Sequence, residues 1–377
     1  MIVVGGCYRE LCEQPYWNET LGSGGRAASA IASYSRDVSL RTYFRSSSQN
    51  DLYRLQACGI AVEAIEREQD IAFAYLHSLA DPHIVPRRIS KCSDMRVQGR
   101  SVLRFGFMEG DAIVDAEQAV YDPQSWAPTH FRGNGSRAER LAIVLNQAEL
   151  RELGRSTDMD KAAQHVLRED RAEVVIVKCG ARGAWIYGSD TKPQFVPAFR
   201  SKRVFKIGTG DIFSAVFAYH WCERGQTALE AATAASQAVS VYAETKSFAI
   251  ACSQREPVQS INSKIAVASF GTTLADHWLR EEARSALLGL GTELVDVPTG
   301  VSKRVLEADA VLILADGNRQ SALTFAKGLK STGLPIVAFS QKSDVSRLAS
   351  QGIFVTDDFA TAIYSTIWLS PNEPSSR

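Results

Sequence analysis

The sequence predicts an α/β protein made of two units, each built on a largely parallel sheet. Short apolar runs are typical of parallel strands that are buried on both faces; examples are IVVGG at the start, LAIVLN ending at Asn146 and VVIVKCG ending at Gly180. Amphipathic helical patterns follow several of these runs, as in residues 149–154 and 211–225. This alternation indicates sheets that are covered by helices.

The two units are separated by a polar segment, after which the strand and helix patterns start again. We predict a first domain at 1–253, a linker at 254–263, a second domain at 264–370 and a disordered tail at 371–377. In the second domain, IAVASFG, TELVDV, AVLILAD and PIVAFS are predicted strands, while LADHWLREEARSALLGLG and SALTFAKGLKSTG are predicted helices. About 105 residues suffice for a small core of their own.

Residues 62–105 have a different pattern, because polar and apolar residues alternate there and charges are frequent. This pattern predicts half-exposed antiparallel strands or a flap. Tyr75, His77 and His83 lie in this segment. We expect them to be exposed flap residues, with contact to a substrate as the alternative.

The composition excludes several classes of partner. Among 377 residues, 42 basic side chains balance 42 acidic ones, so no overall field favours nucleic acid or an anionic membrane. No stretch reaches the roughly 18 apolar residues that are needed to span a bilayer. The seven cysteines are scattered without a CxxC pair, which is typical of reduced thiols. We expect a soluble, cytoplasmic protein with neither nucleic acid nor a membrane as its partner.

The string from Lys206 to Ala215, KIGTGDIFSA, carries the strongest chemical signal. Two glycines, Gly208 and Gly210, precede Asp211 and an amphipathic helix, so backbone N–H groups and the helix dipole create a site for an anion. Phosphoryl transfer needs such a site, and a neighbouring carboxylate can accept the proton of an attacking hydroxyl. An aspartate that simply caps a helix has the same appearance, so both interpretations stay open from this string alone.

Three more motifs occur in the order that one enzyme family requires. The string resembles the GAGD signature of the ribokinase/PfkB carbohydrate kinases, with Thr209 in place of the alanine, and residues 22–29, 146–149 and 178–184 resemble that family's glycine pair, NxxE element and nucleotide-lining turn. Each motif alone has a simpler explanation as a turn, a helix cap or a hairpin. Together they make residues 1–253 similar to a PfkB kinase.

The resemblance implies a three-layer α/β/α sandwich with a small β flap, and transfer of the γ-phosphoryl group of ATP to a primary hydroxyl of a sugar or nucleoside with Mg²⁺. It also implies a homodimer formed through the flaps, as in many family members. The resemblance implies that Asp211 is the catalytic base and that Gly208, Thr209 and Gly210 form the anion hole. It implies an ATP site made of Asn146, Glu149, Lys178, Gly180 and Gly183, in which Asn146 and Glu149 also bind magnesium indirectly through water. The implied acceptor site consists of Glu10, Gly24, Gly25 and Ser29.

Three positions depart from the family pattern. Glu10 stands where a shorter aspartate usually binds sugar hydroxyls, and Ser29 replaces an asparagine, so the acceptor pocket is altered and plain ribose is not expected. Phe205 replaces an aspartate that often helps to bind a monovalent cation, so activation by potassium is not expected.

Residues 264–370 resemble the nucleoside 2-deoxyribosyltransferase-like fold, on Phe270-Gly271, the strand that ends at Asp316 and the segment 324–339. That family's nucleophile is a glutamate, and Phe325 stands at the matching position, where it cannot form a glycosyl ester. We expect a binding domain without transferase activity, in which Asp316 and Asn318 face a nucleotide-like ligand; a purely structural domain is the alternative. Two rival functions stay open for the whole chain: a ligand sensor with an inactive kinase fold, and a nucleoside-processing enzyme.

Overall fold

A computed structural model describes the protein over residues 1–124, 127–189, 191–249, 255–259, 263–295, 297, 303–341 and 346–370. The predicted tail 371–377 and the predicted linker residues 254 and 260–262 lie outside the described residues. Within the described ranges, no helix is both long and apolar enough to cross a membrane.

The larger unit contains one large sheet and one small sheet. Its strands are β1 (Ile2–Val4), β2 (Arg9–Gln14), β3 (Trp17–Thr20), β4 (Ser39–Phe44), β5 (Ala61–Glu66), β6 (Ala72–His77), β7 (His83–Val85), β8 (Met95–Phe105), β9 (Ala112–Asp122), β10 (Arg137–Asn146), β11 (Val174–Lys178), β12 (Gly183–Gly188) and β13 (Gln194–Pro197). Nine of the described strands form the large sheet, in the order β13-β12-β11-β10-β9-β8-β1-β4-β5. Its strands pair in parallel from β5 to β11, and only β12 and β13 are antiparallel.

Helices cover both faces of this sheet. They are α1 (Gly22–Ala32), α2 (Gln49–Ala57), α3 (Gln147–Gly154), α4 (Met159–Glu169), α5 (Thr209–Ala218) and α6 (Ala228–Thr245). Successive strand residues alternate between two cores: Val3 packs with α1, α2, α5 and α6, whereas Val4 belongs to the core of α3 and α4. The predicted α/β/α sandwich is confirmed.

The flap is a small four-stranded sheet in the order β3-β2-β6-β7. The prediction that residues 62–105 form the flap is correct only for β6 and β7. Strands β5 and β8 belong to the large sheet, and β8 lies at its centre between β1 and β9. The exposed charged residues of β8, Arg96 and Arg100, lie in its first half, whereas residues 101–105, including Arg104, are buried. The charges therefore concealed a core strand in the sequence pattern.

The smaller unit has its own five-stranded parallel sheet in the order β15-β14-β16-β17-β18. Its elements are β14 (Lys264–Ser269), α7 (Leu274–Gly289), β15 (Glu293–Val295), β16 (Ala310–Leu314), α8 (Arg319–Leu329), β17 (Ile336–Phe339), α9 (Ser346–Ala349), β18 (Phe354–Thr356) and α10 (Phe359–Leu369). The predicted strands and helices are present, whereas β18 and α10 were not predicted. Helix α10 is buried from Phe359 to Trp368, so it lacks the polar face that marks a surface helix in a sequence.

The two units pack against each other. Ala181, Val204 and Val258 of the larger unit's side belong to the same apolar cluster as the sheet and α10 of the smaller unit. The described part of the predicted linker is bound to the larger unit, because the Val258 N–H donates to the Ala198 carbonyl at 2.7 Å. This contact surface places the smaller unit beside the cleft described next.

Candidate active site

A cleft of about 1140 Å³ opens at the carboxyl ends of the central strands. Strands β9, β10 and β11 end at Asp122, Asn146 and Lys178, and all three residues line the cleft. Their strand ends meet at one edge because β9, β10 and β11 are parallel neighbours. This edge is where open α/β sheets bind their ligands.

The glycine turn predicted from the sequence begins α5 inside this cleft. Gly208 has φ of +77°, a left-handed conformation that favours glycine. A Cβ on Gly208 would also collide with the Arg26 guanidinium, whereas a Cβ on Gly210 would lie 3.5 Å from Lys178 Nζ. Asp211 lies in the first turn of α5 and is 7% exposed. An amino-terminal helix turn, an ammonium group and a buried carboxylate therefore share one end of the cleft.

Lys178 forms a buried ion pair that the sequence analysis did not identify. Its Nζ donates to Asp122 Oδ2 at 2.6 Å, and Ser214 Oγ donates to the same oxygen at 2.6 Å. Among the described residues, Asp122 Oδ1 has no hydrogen-bond partner. Burial raises the pKa of Asp122, and the Lys178 ammonium opposes that effect. Burial lowers the pKa of Lys178, but the Asp122 and Glu149 carboxylates outweigh it and raise that pKa overall.

Lys206 brings a second ammonium group to the turn. Its Nζ donates to Thr209 Oγ1 at 2.9 Å. Burial, and then repulsion from Lys178, lower the pKa of Lys206 to about 8. Lys206 forms no salt bridge within 4 Å among the described residues, and the more distant Asp211 carboxylate only partly offsets the effect of burial on its charge.

Asn146 and Glu149 form the amino-terminal cap of α3. Asn146 Oδ1 accepts hydrogen bonds from the N–H groups of Ala148 and Glu149, and the Glu149 carboxylate accepts one from the Asn146 N–H at 2.7 Å. The simpler explanation of this motif as a capping box is thus correct in geometry. Both residues nevertheless line the cleft, and burial together with the Asp122 carboxylate raises the pKa of Glu149 to about 7.

A buried cluster around Arg26 lies beside the glycine turn and lines the same cleft. Arg26 Nη1 donates to Asp211 Oδ2 at 2.7 Å and to Glu10 Oε1 at 3.0 Å, and Arg26 Nη2 bonds the second Glu10 oxygen. Arg26 Nε donates to the Tyr242 hydroxyl at 3.0 Å. The amide of Gln124 donates to the other Asp211 oxygen. Arg26, which holds the Asp211 carboxylate, was therefore not among the predicted site residues.

Of the four residues predicted for the acceptor site, Glu10 alone lines the cleft. Helix α1 lines the cleft with Gly22, Ser23 and Arg26, while Gly24, Gly25 and Ser29 lie elsewhere. Gly24 packs on the backbone of strand β1's end, where a Cβ would collide with Gly5, and a Cβ on Gly25 would meet Cys7. Ser29 Oγ donates to the Gly25 carbonyl of its own helix. The glycine pair thus permits close packing of α1, and Glu10 remains the acceptor-side residue of that prediction at the cleft.

The nucleotide-lining turn borders the cleft, whereas Phe205, a departure from the family pattern, is a core residue. Gly180 and Gly183 line the cleft, with φ of +58° and +128°. Phe205 is buried in the core, and the Lys246 ammonium lies 4.6 Å from its ring centre. The expectation about potassium stays a prediction.

The three flap residues do not share one environment. Tyr75 lines the cleft, and His77 is buried with its Nε2 at 3.1 Å from Glu282 of the smaller unit. Only His83 is exposed, so the expectation of a solvated flap surface is wrong for Tyr75 and His77. The flap folds over the cleft instead of standing in solvent.

Strand-end position is the signal that could have identified Asp122. It ends an apolar run and precedes a proline, as Asn146 and Lys178 end theirs. Arg26 lies inside the quoted glycine motif, but its partners Glu10 and Asp211 are 16 and 185 residues away, so no local pattern connects them.

One segment of the chain matches a known protein family. Residues 117–254 match the model of the pfkB family carbohydrate kinases. The predicted resemblance to the PfkB kinases is confirmed. The matched segment contains Asp122, Asn146, Lys178 and the turn at 208–211, so most of the charged residues of the cleft lie within it. A search of the curated proteins finds no match.

Three kinases are among the solved structures that are similar to the chain. A fructokinase from Vibrio cholerae O395 with fructose, ADP and calcium ion bound is 14% identical, with a TM-score of 0.49, over 67% of this chain and 95% of that one. A ribokinase from Thermotoga maritima is 15% identical, with a TM-score of 0.45, over 67% and 95%. A pyrophosphate-dependent kinase in the ribokinase family, complexed with a pyrophosphate analog and myo-inositol, is 12% identical, with a TM-score of 0.47, over 64% and 95%.

Proposed function

We propose that the protein is a kinase that transfers the γ-phosphoryl group of ATP to a primary hydroxyl of a sugar or nucleoside. One observation carries the proposal: the Asp211 carboxylate and the Lys178 ammonium meet at the glycine turn that begins α5, at the bottom of the cleft. Transfer of a phosphoryl group requires a base for the acceptor hydroxyl and positive potential for the moving phosphate. Both lie beside the first turn of α5.

The donor side is the half of the cleft that holds the two lysines. The Thr209 N–H donates to the Lys206 carbonyl at 3.2 Å, so we expect the N–H groups of Gly210 and Asp211 to meet the phosphate chain, and Lys178 and Lys206 add two positive charges. A pKa of about 8 leaves Lys206 largely protonated at pH 7. These groups act without reorganisation on the charge that builds up on the transferred phosphoryl oxygens.

Asp211 is the base in this mechanism. Its carboxylate takes the proton of the acceptor hydroxyl while the acceptor oxygen bonds to the γ-phosphorus, and the bond from that phosphorus to the β,γ-bridging oxygen breaks to release ADP. Arg26 and Gln124 hold the two carboxylate oxygens, so they fix its orientation. Arg26 also joins Asp211 to Glu10, which places the acceptor between the base and the flap.

The residues present fit a magnesium ion that is held mainly through water and phosphate. Among the described residues, no group of three or more His, Cys, Asp or Glu side chains forms a metal cage. Mg²⁺ commonly binds through one or two carboxylates plus substrate phosphates. Asn146 and Glu149, whose pKa is raised by burial and then by the Asp122 carboxylate, would hold it. When bound, the ion neutralises charge on the donor phosphates; the protein's own groups orient the reactants.

One observation favours a second candidate, a ligand sensor with an inactive kinase fold. Both oxygens of Asp211 are already hydrogen-bonded, one to Arg26 and one to Gln124. A base held this firmly could bind a polyol without accepting its proton. The sensor and the kinase make opposite predictions in one assay.

The test is phosphoryl transfer from ATP, with Mg²⁺, to a panel of sugars, polyols and nucleosides. ADP formation and phosphorus NMR of the product are the two measurements. Pyrophosphate replaces ATP in a parallel series as an alternative donor. We expect at least one acceptor to yield equal amounts of ADP and of a phosphate monoester. Thermal stabilisation by an acceptor without any transfer would contradict the kinase and favour the sensor.

A further inference from the structure

We propose that the smaller unit completes the donor site, with Leu290 and Tyr364 contacting the base of the bound nucleoside triphosphate. The inference rests on the proposed function, because it extends the donor half of the same cleft. It concerns side chains of the smaller unit that line the cleft and lie outside residues 117–254, the segment that matches the family model.

The cleft has two chemically different ends. At one end lie Lys178, Lys206 and the glycine turn, which suit phosphate groups. At the other end, Leu290, Tyr364 and Trp368 of the smaller unit line the same cavity. A cavity with cations at one end and aliphatic and aromatic side chains at the other matches a phosphate chain attached to a flat, apolar ring.

The wall from the smaller unit is held in place by hydrogen bonds between the two units. Trp368 Nε1 donates to the Ala181 carbonyl at 3.0 Å, and Arg200 Nη2 donates to the Trp368 carbonyl at 2.7 Å. The Val204 N–H donates to Thr361 Oγ1 at 2.9 Å. Val204 and Gly180, the neighbour of Ala181, line the cleft, so α10 packs directly against the cleft wall.

The same wall covers the nucleotide-lining turn. A Cβ on Gly180 would lie 2.8 Å from Leu290 Cδ2 and 3.9 Å from the Tyr364 hydroxyl oxygen. The glycine that the sequence analysis assigned to the ATP site is therefore in close contact with the smaller unit. A base that binds along this turn meets Leu290 and Tyr364.

The buried hydroxyl of Tyr364 is independent support for a ligand at this wall of the cleft. It is 5% exposed, and its hydroxyl has no hydrogen-bond partner among the described residues. Burial raises the pKa of Tyr364, so the hydroxyl stays a neutral donor. Its ring packs edge-to-face on Trp368 at 5.4 Å, which fixes its position. A buried hydroxyl without a partner is unfavourable, and a nitrogen or carbonyl at the edge of a base would satisfy it.

The chemistry favours a nucleotide over a bare polyphosphate as the occupant. Inorganic pyrophosphate fills only the cationic end and has neither a ring for Leu290 nor a hydrogen-bonding edge for Tyr364. The two ligands therefore separate the two ends of the cleft experimentally. ADP reports on both ends, and inorganic tripolyphosphate reports on the phosphate end alone.

The experiment uses the full-length protein and isothermal titration calorimetry with ADP and with tripolyphosphate, both with Mg²⁺. We expect Tyr364→Phe to weaken ADP binding roughly five-fold by loss of one hydrogen bond, and Leu290→Ala to weaken it roughly ten-fold by loss of apolar contact. Tripolyphosphate should bind both variants as it binds the wild type. The matched control is Tyr187→Phe, which removes a hydroxyl bonded to Asp160 at 2.9 Å outside the cleft and should leave ADP binding unchanged.

The inference is overturned if either cleft variant binds ADP like the wild type, if tripolyphosphate binding falls equally, or if the wild type does not bind ADP. A separate transfer assay keeps this outcome apart from the proposed function. ADP binding that depends on both residues, without transfer from ATP, contradicts the proposed function and supports this inference. Transfer from ATP, with ADP binding unchanged in both variants, overturns this inference alone.

Discussion

The carboxyl ends of the two parallel sheets differ in how their charged groups are satisfied. At the large sheet, Asp122, Lys178 and Glu149 have shifted pKa values because they are buried close together. At the small sheet, Asp316 accepts hydrogen bonds from Ser340 Oγ at 2.5 Å and from the Gln341 N–H at 2.8 Å. The large sheet therefore ends in a buried cluster of charged groups with shifted pKa values, whereas the Asp316 carboxylate at the end of the small sheet is hydrogen-bonded.

This difference indicates which of the two sheet ends is the better candidate for a catalytic site. Buried groups with perturbed pKa values cluster at catalytic sites more often than at structural ones. Phe325, at the position where the resemblance places a nucleophile, is 3% exposed and packs on Phe270 with ring centres 5.2 Å apart. We therefore expect phosphotransfer chemistry at the large sheet, and no glycosyl chemistry at the small one.

The two cleft lysines give the largest expected effects and divide activity from stability. Lys178→Met and Lys206→Met should each lower transfer roughly 10²–10³-fold, because each removes a charge beside the phosphoryl group. Lys178→Met should also destabilise the protein by about 3–5 kcal/mol, since it leaves Asp122 buried and unpaired. Lys206→Met should leave the free energy of unfolding unchanged or higher, because it removes a desolvated charge.

Transfer assays and urea unfolding of both variants check this pair. Lys161→Met is the control, because that side chain is 80% exposed. If both cleft variants lost the same stability, the contrast between a paired and an unpaired lysine would be wrong.

The glycine turn comes next. Gly208→Ala should cost roughly 2–3 kcal/mol, because it combines a left-handed backbone with displacement of Arg26. Transfer should fall at least ten-fold, since Arg26 holds Asp211. Gly225→Ala is matched in backbone, with φ of +63° and no atom within 4 Å of its Cβ position, and should cost only about 1 kcal/mol. Equal losses measured by thermal unfolding would show that Arg26 contributes nothing to the difference.

Glu149 predicts a pH-dependent difference in stability. Its pKa is about 7 in the folded protein and near 4.5 when unfolded, so the folded state binds more protons between these values. Wild-type stability therefore falls as pH rises through that window, on the order of 2–3 kcal/mol from this group. Glu149→Gln keeps the side-chain acceptor of the cap but cannot ionise. Relative to the wild type, the variant should be more stable at pH 8 than at pH 5; a pH-independent difference in urea midpoints would contradict this.

The smallest expected effect is at the small sheet. The full-length protein should release no free base from 2′-deoxynucleosides, because Phe325 offers no nucleophile. Asp316→Asn should leave transfer from ATP within about two-fold of the wild type, as expected for a surface site outside the chemistry. Chromatography of nucleoside incubations checks the first expectation. Base release that Asp316→Asn abolishes would assign catalysis to the smaller unit.

The sequence predicts best those features that depend on neighbouring residues. The ends of β10 and β11, the start of α5 and the five-residue apolar strand β16 all follow local patterns. The Arg26 cluster and the Asp122–Lys178 pair could not be predicted, because their members are distant in sequence and meet only when the strands align. The same holds for the wall formed by Tyr364, which depends on how one unit packs against the other.

The most direct test of the central claim is transfer from ATP by Asp211→Asn. The substitution keeps the shape and hydrogen-bonding ability of the side chain, and Arg26 keeps its pair with Glu10. We predict that turnover falls by about 10²–10⁴-fold through loss of the base, while ADP affinity and the unfolding temperature stay close to wild-type values. Turnover near the wild-type level, in a variant that unfolds normally, would contradict the assignment of Asp211 as catalytic base.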